Sequence, residues 1–349
     1  MSQLSEGIVF GLGNPLLDIT CSVDNDFLKK WSLKANDAIL ADDSHENLYK
    51  EVVSQFECKY IAGGSCQNTL RTIQWMLKKT HICTFMGGIG DDEFGKIMAN
   101  NSHEVGLNTV YRIDADTPTG TCACLISDNN TCRSLVAYLG ASQKFDIEHV
   151  RNNFGYVEKA RIFYTTGYHL AVSTESILLV AKHVHNSDGK LFTMNLSAPY
   201  ISQVFSKQLL EVLPYVDILF GNETEAAAFA ELNGWKTNDI KEIARLTANL
   251  KSNRKTGRKV VYTQGAASVL VASTGSSEVL EFSVPVVEES KIVDTIGAGD
   301  AFVGGYIAQL VSDKPLETCV ESGVYAAQQV IQQIGAHFPK EMTYKSCDK

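Results

Sequence analysis

Apolar residues along this chain come in short runs, most of them closing on glycine or a polar side chain and followed by a stretch with helical spacing. Gly7-Ile8-Val9-Phe10-Gly11-Leu12-Gly13-Asn14 is one such run, and the alternating Ile19–Val23 makes a second strand after it. Ile61 leads through a pair of glycines into a helix over Thr69–Leu77. His81 to Gly90 is a further run, with Asp91, Asp92 and Glu93 opening the next helix, where acidic side chains suit the helix dipole. From Ala160 the alternation is regular. Arg161–Thr165 precedes a helix over Ser173–Asn186, Leu191–Asn195 one over Ser202–Leu213, and Val216–Phe220 one over Glu223–Leu232. Val260–Gly265 and Ser268–Ala272 follow, then a turn near Val293, the helix it opens, and a last helix over Cys319–Ile334. Apolar strands alternating with amphipathic helices predict an α/β fold of three layers, a mostly parallel sheet covered by helices on both faces.

Two stretches break this rhythm. Phe27 to Tyr49 is polar and loop-rich, turning helical from about Ser44. Between Thr109 and Leu139 lie three short runs, Val110–Ile113, Thr121–Ile126 and Arg133–Tyr138, with no long helix between them and a turn at Asp128-Asn129-Asn130. They predict a small β-rich unit, joined by residues 19–40. The expected division is a large domain over about residues 1–18, 41–108 and 140–345, and a small lid over about 19–40 and 109–139.

Composition narrows the function classes. A chain of 349 residues, 44% hydrophobic and 20% charged, is ordered and can build one large core with a smaller attachment. Its net charge is −9 with the Lys and Arg residues dispersed, which argues against nucleic acid as a partner. The one basic cluster, Lys251 to Lys259, reads as a solvated loop before a buried strand. No basic signal-peptide start and no apolar run of membrane-spanning length is evident. The expectation is a cytoplasmic monomer, extending to the nucleus, without a membrane partner. An odd count of nine cysteines in a chain with its own core points to reduced thiols. Cys122-x-Cys124 with Cys132 matches no usual structural zinc spacing, so free cysteines are expected there.

Candidate chemistry gathers at the glycine-bearing turns. In Asp294-Thr295-Ile296-Gly297-Ala298-Gly299-Asp300, two glycines precede a helix, so backbone N–H groups can converge on an anion. Asp300 repels such an anion, yet suits a reaction that takes a proton from a hydroxyl beside a phosphoryl group. Capping of the helix by Asp294 or Asp300 explains the same letters. Gly63-Gly64 with Asn68 reads either as a close ligand approach or as an ordinary turn and cap. Asn222 and Glu225, three apart after a strand, suit water around Mg²⁺ and equally suit a capping box. Asn14 and Asp18 at a strand end suit recognition of hydroxyls on a small ligand. A dinucleotide fingerprint fails because Leu16 stands where the third glycine belongs, and no GxxxxGK[ST] loop exists.

Ala62 to Asn68 resembles the first signature of the ribokinase/PfkB family of carbohydrate and nucleoside kinases, Asp294 to Asp300 its second, and Asn222 to Glu225 its NxxE element. The similarity runs from about Gly7 to Phe338, and Gly13–Ile19 with Pro199–Glu225 points to the branch acting on adenosine. The resemblance implies a ribokinase-like fold with a small β-rich lid, and Mg²⁺-dependent transfer of the ATP γ-phosphoryl group to the adenosine 5′-hydroxyl. It implies Asp300 as base, with the amides of Gly297, Ala298 and Gly299 as anion hole. Asn14, Asp18, Gly63, Gly64 and Asn68 are then expected at the ribose, and Leu16, Leu40, Leu135 and Ala137 around the adenine. Arg133 would approach the transferring group from the lid, Thr263 and Gly265 would lie near the ATP phosphates, and Asn222 and Glu225 would organise Mg²⁺, in part through water. Two positions depart from the branch: Ile296 replaces a common Asn, and Tyr168-His169 replaces a pair of phenylalanines in the adenine pocket. His169 is there either a stacking platform or a donor to the base. A kinase for another nucleoside or a sugar is the alternative function, and a nucleotide-sensing protein without turnover a third.

Overall fold

The structure is a computed structural model that describes residues 4–34, 38–45, 47–127 and 132–345, apart from the side chains of Ala38 and Arg133. The turn expected at Asp128–Asn130 lies outside the described residues. The first strand, β1 (Val9–Leu12), is wholly buried, and β2 (Leu16–Ser22) leaves it after a short turn. Next come α1 (Asn25–Lys30), β3 (Ala38–Leu40) and α2 (Leu48–Gln55), so the polar stretch after Phe27 holds more regular structure than its composition implies. β4 (Lys59–Gly63) runs into α3 (Ser65–Leu77), and β5 (Cys83–Gly90), buried at all eight positions, precedes α4 (Glu93–Glu104). β6 (Asn108–Asp114), β7 (Thr121–Ser127) and β8 (Cys132–Tyr138) follow.

The second half alternates as expected. After α5 (Ile147–Asn152) and α6 (Phe154–Lys159), β9 (Ile162–Thr166) leads to α7 (Leu170–His185) and β10 (Leu191–Asn195). The helix expected over Ser202–Leu213 is two, α8 (Pro199–Val204) and α9 (Ser206–Val212), because Phe205 between them leaves helical geometry. Then come β11 (Ile218–Asn222), α10 (Glu223–Leu232), α11 (Ile240–Ala248), β12 (Lys259–Gln264), β13 (Ala267–Ser273), β14 (Val279–Phe282), α12 (Ala298–Leu310) and α13 (Leu316–Val330). Among the described residues no helix is long and apolar enough to cross a membrane.

Nine strands form one sheet in the order β14-β13-β12-β11-β10-β9-β1-β5-β6, parallel except where β13 and β14 turn back. One face is covered by α5, α6, α7, α9, α10 and α11 through residues such as Val150, Val157, Ile177, Phe229 and Ile243. The other is covered by α3, α12 and α13 through Leu70, Ile73, Tyr306, Ile307 and Val320. α12 is buried from Ala301 to Gln309, all round its circumference, since it is sandwiched against both α3 and α13.

Five strands form a second sheet in the order β3-β8-β7-β2-β4. Its strands come from residues 16–63 and 121–138, which corrects the expected boundaries in two places. β4 belongs to the small sheet, paired antiparallel with β2. Val110–Ile113, expected in the small unit, lies in β6 at the edge of the large sheet, parallel to β5. The reason is α4: a helix between two strands returns the chain alongside the first in the same direction, a βαβ crossover.

Alternation along the small sheet separates its two faces. Ile19, Cys21, Ala123, Leu125 and Val136 point one way and pack with Phe27, Leu28, Leu48 and Val52 of α1 and α2. Strand register places Asp18 beside Cys122, Cys124 opposite Leu135, and Cys122 opposite Ala137, while Leu40 pairs with Ala137 and Leu16 with Gly63. These residues share the other face, which α1 and α2 leave uncovered.

Candidate active site

The carboxyl ends of β1, β11 and β12 carry Asn14, Asn222 and Thr263 to one edge of the large sheet, with Asn222 and Thr263 in register. Ligands in open α/β folds bind beyond this edge. Two helices start there. α3 is capped by Gly64 at φ +91°, where a side chain would also strike the Asn14 carbonyl at 2.3 Å. α12 is capped by Gly297 at φ +77°, a left-handed conformation that L side chains resist. The Ala298 N–H is taken by the Thr295 carbonyl at 3.2 Å. The first-turn amides of Gly299 and Asp300 then remain for an anion. A methyl group at Gly299 would meet nothing within 4 Å, so the space beside this residue is open. Gly265 lies in the β12–β13 turn at φ +56° with equally open surroundings.

Asp300 does not cap its helix. Its Oδ1 accepts from the Ser65 hydroxyl at 2.5 Å and its Oδ2 from the Asn68 amide at 3.2 Å, so the carboxylate reaches across to the first turn of α3. Ser65 was not anticipated from the sequence; its three-residue spacing from Asn68 places both on one helix face. Burial pushes Asp300 up to about 6 against these two hydrogen bonds. Asp294 does not cap either: its oxygens accept from the backbone N–H groups of Ile296 (3.0 Å) and Gly335 (2.8 Å), tying the turn to the chain beyond α13.

Asp18 is pushed up to about 7 by burial, against the pull of the Arg71 guanidinium and with the Asp300 charge adding to the rise. Arg71, also unanticipated, donates to the Ala62 carbonyl at 2.9 Å and approaches the Asn68 side-chain oxygen at 3.5 Å. Asn68, expected only at a ribose, therefore bridges Arg71 and Asp300. Gly63 ends β4 beside Asp18, and Leu16, Leu40, Leu135 and Ala137 stand on the same face of the small sheet. Leu40 is 58% exposed, so this part of the face is open to solvent. Arg133 lies on β8, but its side chain lies outside the described residues.

His169 is placed differently from either expectation. It is fully buried, edge-on to Phe145 at 5.4 Å, and its Nδ1 bonds the Asn14 side-chain oxygen at 2.6 Å, while the Asn14 amide donates to the Tyr168 carbonyl at 3.1 Å. Burial pushes it down to about 3, so it is neutral, with Nδ1 protonated toward Asn14. A side chain without accessible surface neither stacks on a base nor donates to one; it fixes Asn14.

Asn222 and Glu225 form a complete capping box. The Asn222 oxygen accepts from the Glu225 N–H at 2.9 Å, and the Glu225 carboxylate accepts from the Asn222 backbone N–H and side-chain amide, both at 3.0 Å. Burial raises Glu225 to about 7, with Asp300 contributing its charge. A hard oxygen donor at a buried acidic position fits Mg²⁺, and with both carboxylate oxygens engaged the ion would keep its waters.

Two glycine-capped helices converging on one half-buried aspartate thus occupy the edge where the two sheets meet. The sequence profile of the "pfkB family carbohydrate kinase" matches residues 26–342. The chain belongs to the pfkB kinase family. Its relatives within the family match along nearly their whole length. It is 44% identical over 340 residues to adenosine kinase 2 of Arabidopsis thaliana, covering 96% of this chain and 97% of that protein. It is 39% identical to the adenosine kinase of Schizosaccharomyces pombe, covering 96% and 97%. Among solved structures, Anopheles gambiae adenosine kinase in complex with P1,P4-di(adenosine-5) tetraphosphate superposes with a TM-score of 0.89 at 42% identity, covering 98% of this chain and 100% of that one. The ribokinase-like fold and kinase class expected from the signatures are those of this family.

Proposed function

We propose that this pfkB-family kinase transfers the γ-phosphoryl group of ATP to the 5′-hydroxyl of adenosine, giving AMP and ADP. The observation that carries the mechanism is the Asp300 carboxylate, half-buried at the start of α12 and aimed at α3, not at its own helix. Ser65 and Asn68 use one acceptor position on each oxygen, and a carboxylate oxygen has another for an incoming hydroxyl. Asp300 holds the 5′-hydroxyl, and takes its proton as the bond to phosphorus forms, while the Gly299 and Asp300 amides receive the charge on the transferring group. Gly297 sets the turn that aims them.

Asp18, Gly63, Gly64 and Asn68 surround the ribose with Asn14, which His169 holds in place. Leu16, Leu40, Leu135 and Ala137 enclose the adenine; a free sugar would leave all four without a partner. Thr263, Gly265 and Asn222 border the ATP phosphates. Asn222 and Glu225 would hold Mg²⁺ through water, where the ion neutralises phosphate charge when bound. The small sheet acts as a lid, and the family resemblance assigns the positive partner of the transferring group to Arg133, whose backbone lies on β8. The relatives named above are adenosine kinases, and the Schistosoma mansoni enzyme, 37% identical, has been solved in complex with 2-fluoroadenosine, which supports adenosine as the acceptor here. The test is to incubate purified enzyme with ATP, Mg²⁺ and adenosine and follow both products. AMP and ADP should appear in equal amounts at many turnovers per enzyme. ADP without AMP, or no product, would overturn the reading.

A further inference from the structure

Cys122 and Cys124 find no use in that mechanism, yet both stand on the face of the small sheet that carries Asp18. Two residues apart on β7, they point the same way, and the parallel register sets Asp18 of β2 directly beside Cys122. The two sulfur atoms and the carboxylate all come within 4.8 Å of one another, the one such group among the described residues. The Cys122 thiol beside it, and burial, hold the Cys124 thiol well above its ordinary value. Neither thiol is tied into a disulfide.

We propose that Asp18, Cys122 and Cys124 form a site for a soft divalent cation of the zinc class, and that its occupancy excludes the nucleoside. Two thiolates and a carboxylate are a donor set that zinc takes readily, and three protein ligands leave a fourth position for water. Bonds of about 2.3 Å to sulfur and about 2.0–2.2 Å to oxygen set tetrahedral ligands about 3.5–3.8 Å apart. Closing the cluster onto an ion therefore takes side-chain rotation of about an ångström. Binding displaces two thiol protons, so the dication and two thiolates replace two neutral thiols beside the Asp18 carboxylate. Mg²⁺, which demands oxygen ligands and dehydrates reluctantly, does not compete for this set. The exclusion rests on the acceptor reading given above, in which Asp18 binds the ribose: an Asp18 oxygen bound to the ion is lost to the sugar hydroxyls.

The experiment uses the full chain stripped of metal. Co²⁺, as a coloured substitute for zinc, should produce a thiolate charge-transfer band saturating at one equivalent, and Zn²⁺ should abolish it by displacement. Saturating adenosine should suppress the band, and Zn²⁺ should raise the adenosine KM at least tenfold while leaving the ATP KM within twofold. Cys122→Ser/Cys124→Ser should lose the band; if that variant has no thermal transition, Cys122→Ser alone should weaken Co²⁺ at least tenfold. No band in the wild type, or a band that survives in the variants, overturns the site. A band indifferent to adenosine overturns the exclusion. Failure of zinc-free enzyme supplied with ATP, Mg²⁺ and adenosine to make AMP would instead refute the proposed function, since the cobalt band needs no substrate.

Discussion

Asp300 makes no cap, so exchanging it for Asn, which keeps its size but cannot take a proton, tests the base alone. Asp300→Asn should lower kcat by about 10²–10⁴-fold while ATP binding persists. Its thermal midpoint should not fall. A carboxyl whose value rises to about 6 on folding binds its proton more tightly in the native state than in the unfolded chain. The stability it contributes is full below the unfolded value near 4 and is lost as pH rises through about 6, so at neutral pH the charge is a burden that Asn removes. For the wild type, kcat/KM should fall as pH drops from about 7 through about 6, as Asp18 and then Asp300 take up protons. A flat profile over that range would remove Asp300 from the role of base. His169 makes a quieter prediction. Phe in its place leaves the Asn14 oxygen without its donor, a loss of about 1–1.5 kcal/mol, so adenosine KM should rise about five- to tenfold with ATP KM unchanged. Equal weakening of both substrates would mean that the substitution disturbs the fold, not Asn14.

The glycine turn before α12 can be tested as an element. Gly299→Ala adds a methyl group into open space on a helix, so its thermal midpoint should hold or rise slightly, while the methyl should crowd an anion held at the adjoining amides. Loss of such donors typically costs about 10²–10³ in kcat. Gly297→Ala forces a left-handed residue and brings its Cβ to 3.0 Å from that of Ala336, so it should lose stability as well as rate. If Gly299→Ala keeps full activity, the amides do not receive the transferring group. How much of this was legible beforehand varies by element. The buried runs and the glycine turns gave the large sheet and the ends of its strands, because a strand closed by glycine before a helix has few other readings. Val110–Ile113 gave its strand but not its sheet, since partner choice came from the crossover through α4 and not from local pattern. Ser65 and Arg71 were missed because their roles depend on α3 lying against α12 and the small sheet, a long-range contact. His169 misled for the same reason: its neighbour in sequence says nothing of Asn14, 155 positions away.

The molecule as a whole sets an open-edged small sheet, lined by Asp18, Leu40, Leu135 and Ala137, against the strand ends and helix starts of a large one. The small sheet, proposed above as a lid, is built from β2–β4, β7 and β8, with α1 and α2 filling its far side. Adenosine bridging the two sheets should close it, excluding water from the transferring phosphoryl group. Amide hydrogen exchange checks this: β7 and β8 should gain protection with adenosine, and unchanged exchange there would make the small sheet a fixed wall. Arg133→Ala should then lower kcat more than it weakens adenosine. The reading that joins both sheets into one function is adenosine as acceptor, and it is tested most directly by measuring kcat/KM for adenosine, inosine, guanosine and ribose under the same ATP and Mg²⁺. Adenosine should have the highest value and ribose the lowest, because ribose cannot occupy the apolar wall. A higher kcat/KM for any of the other three would contradict the account.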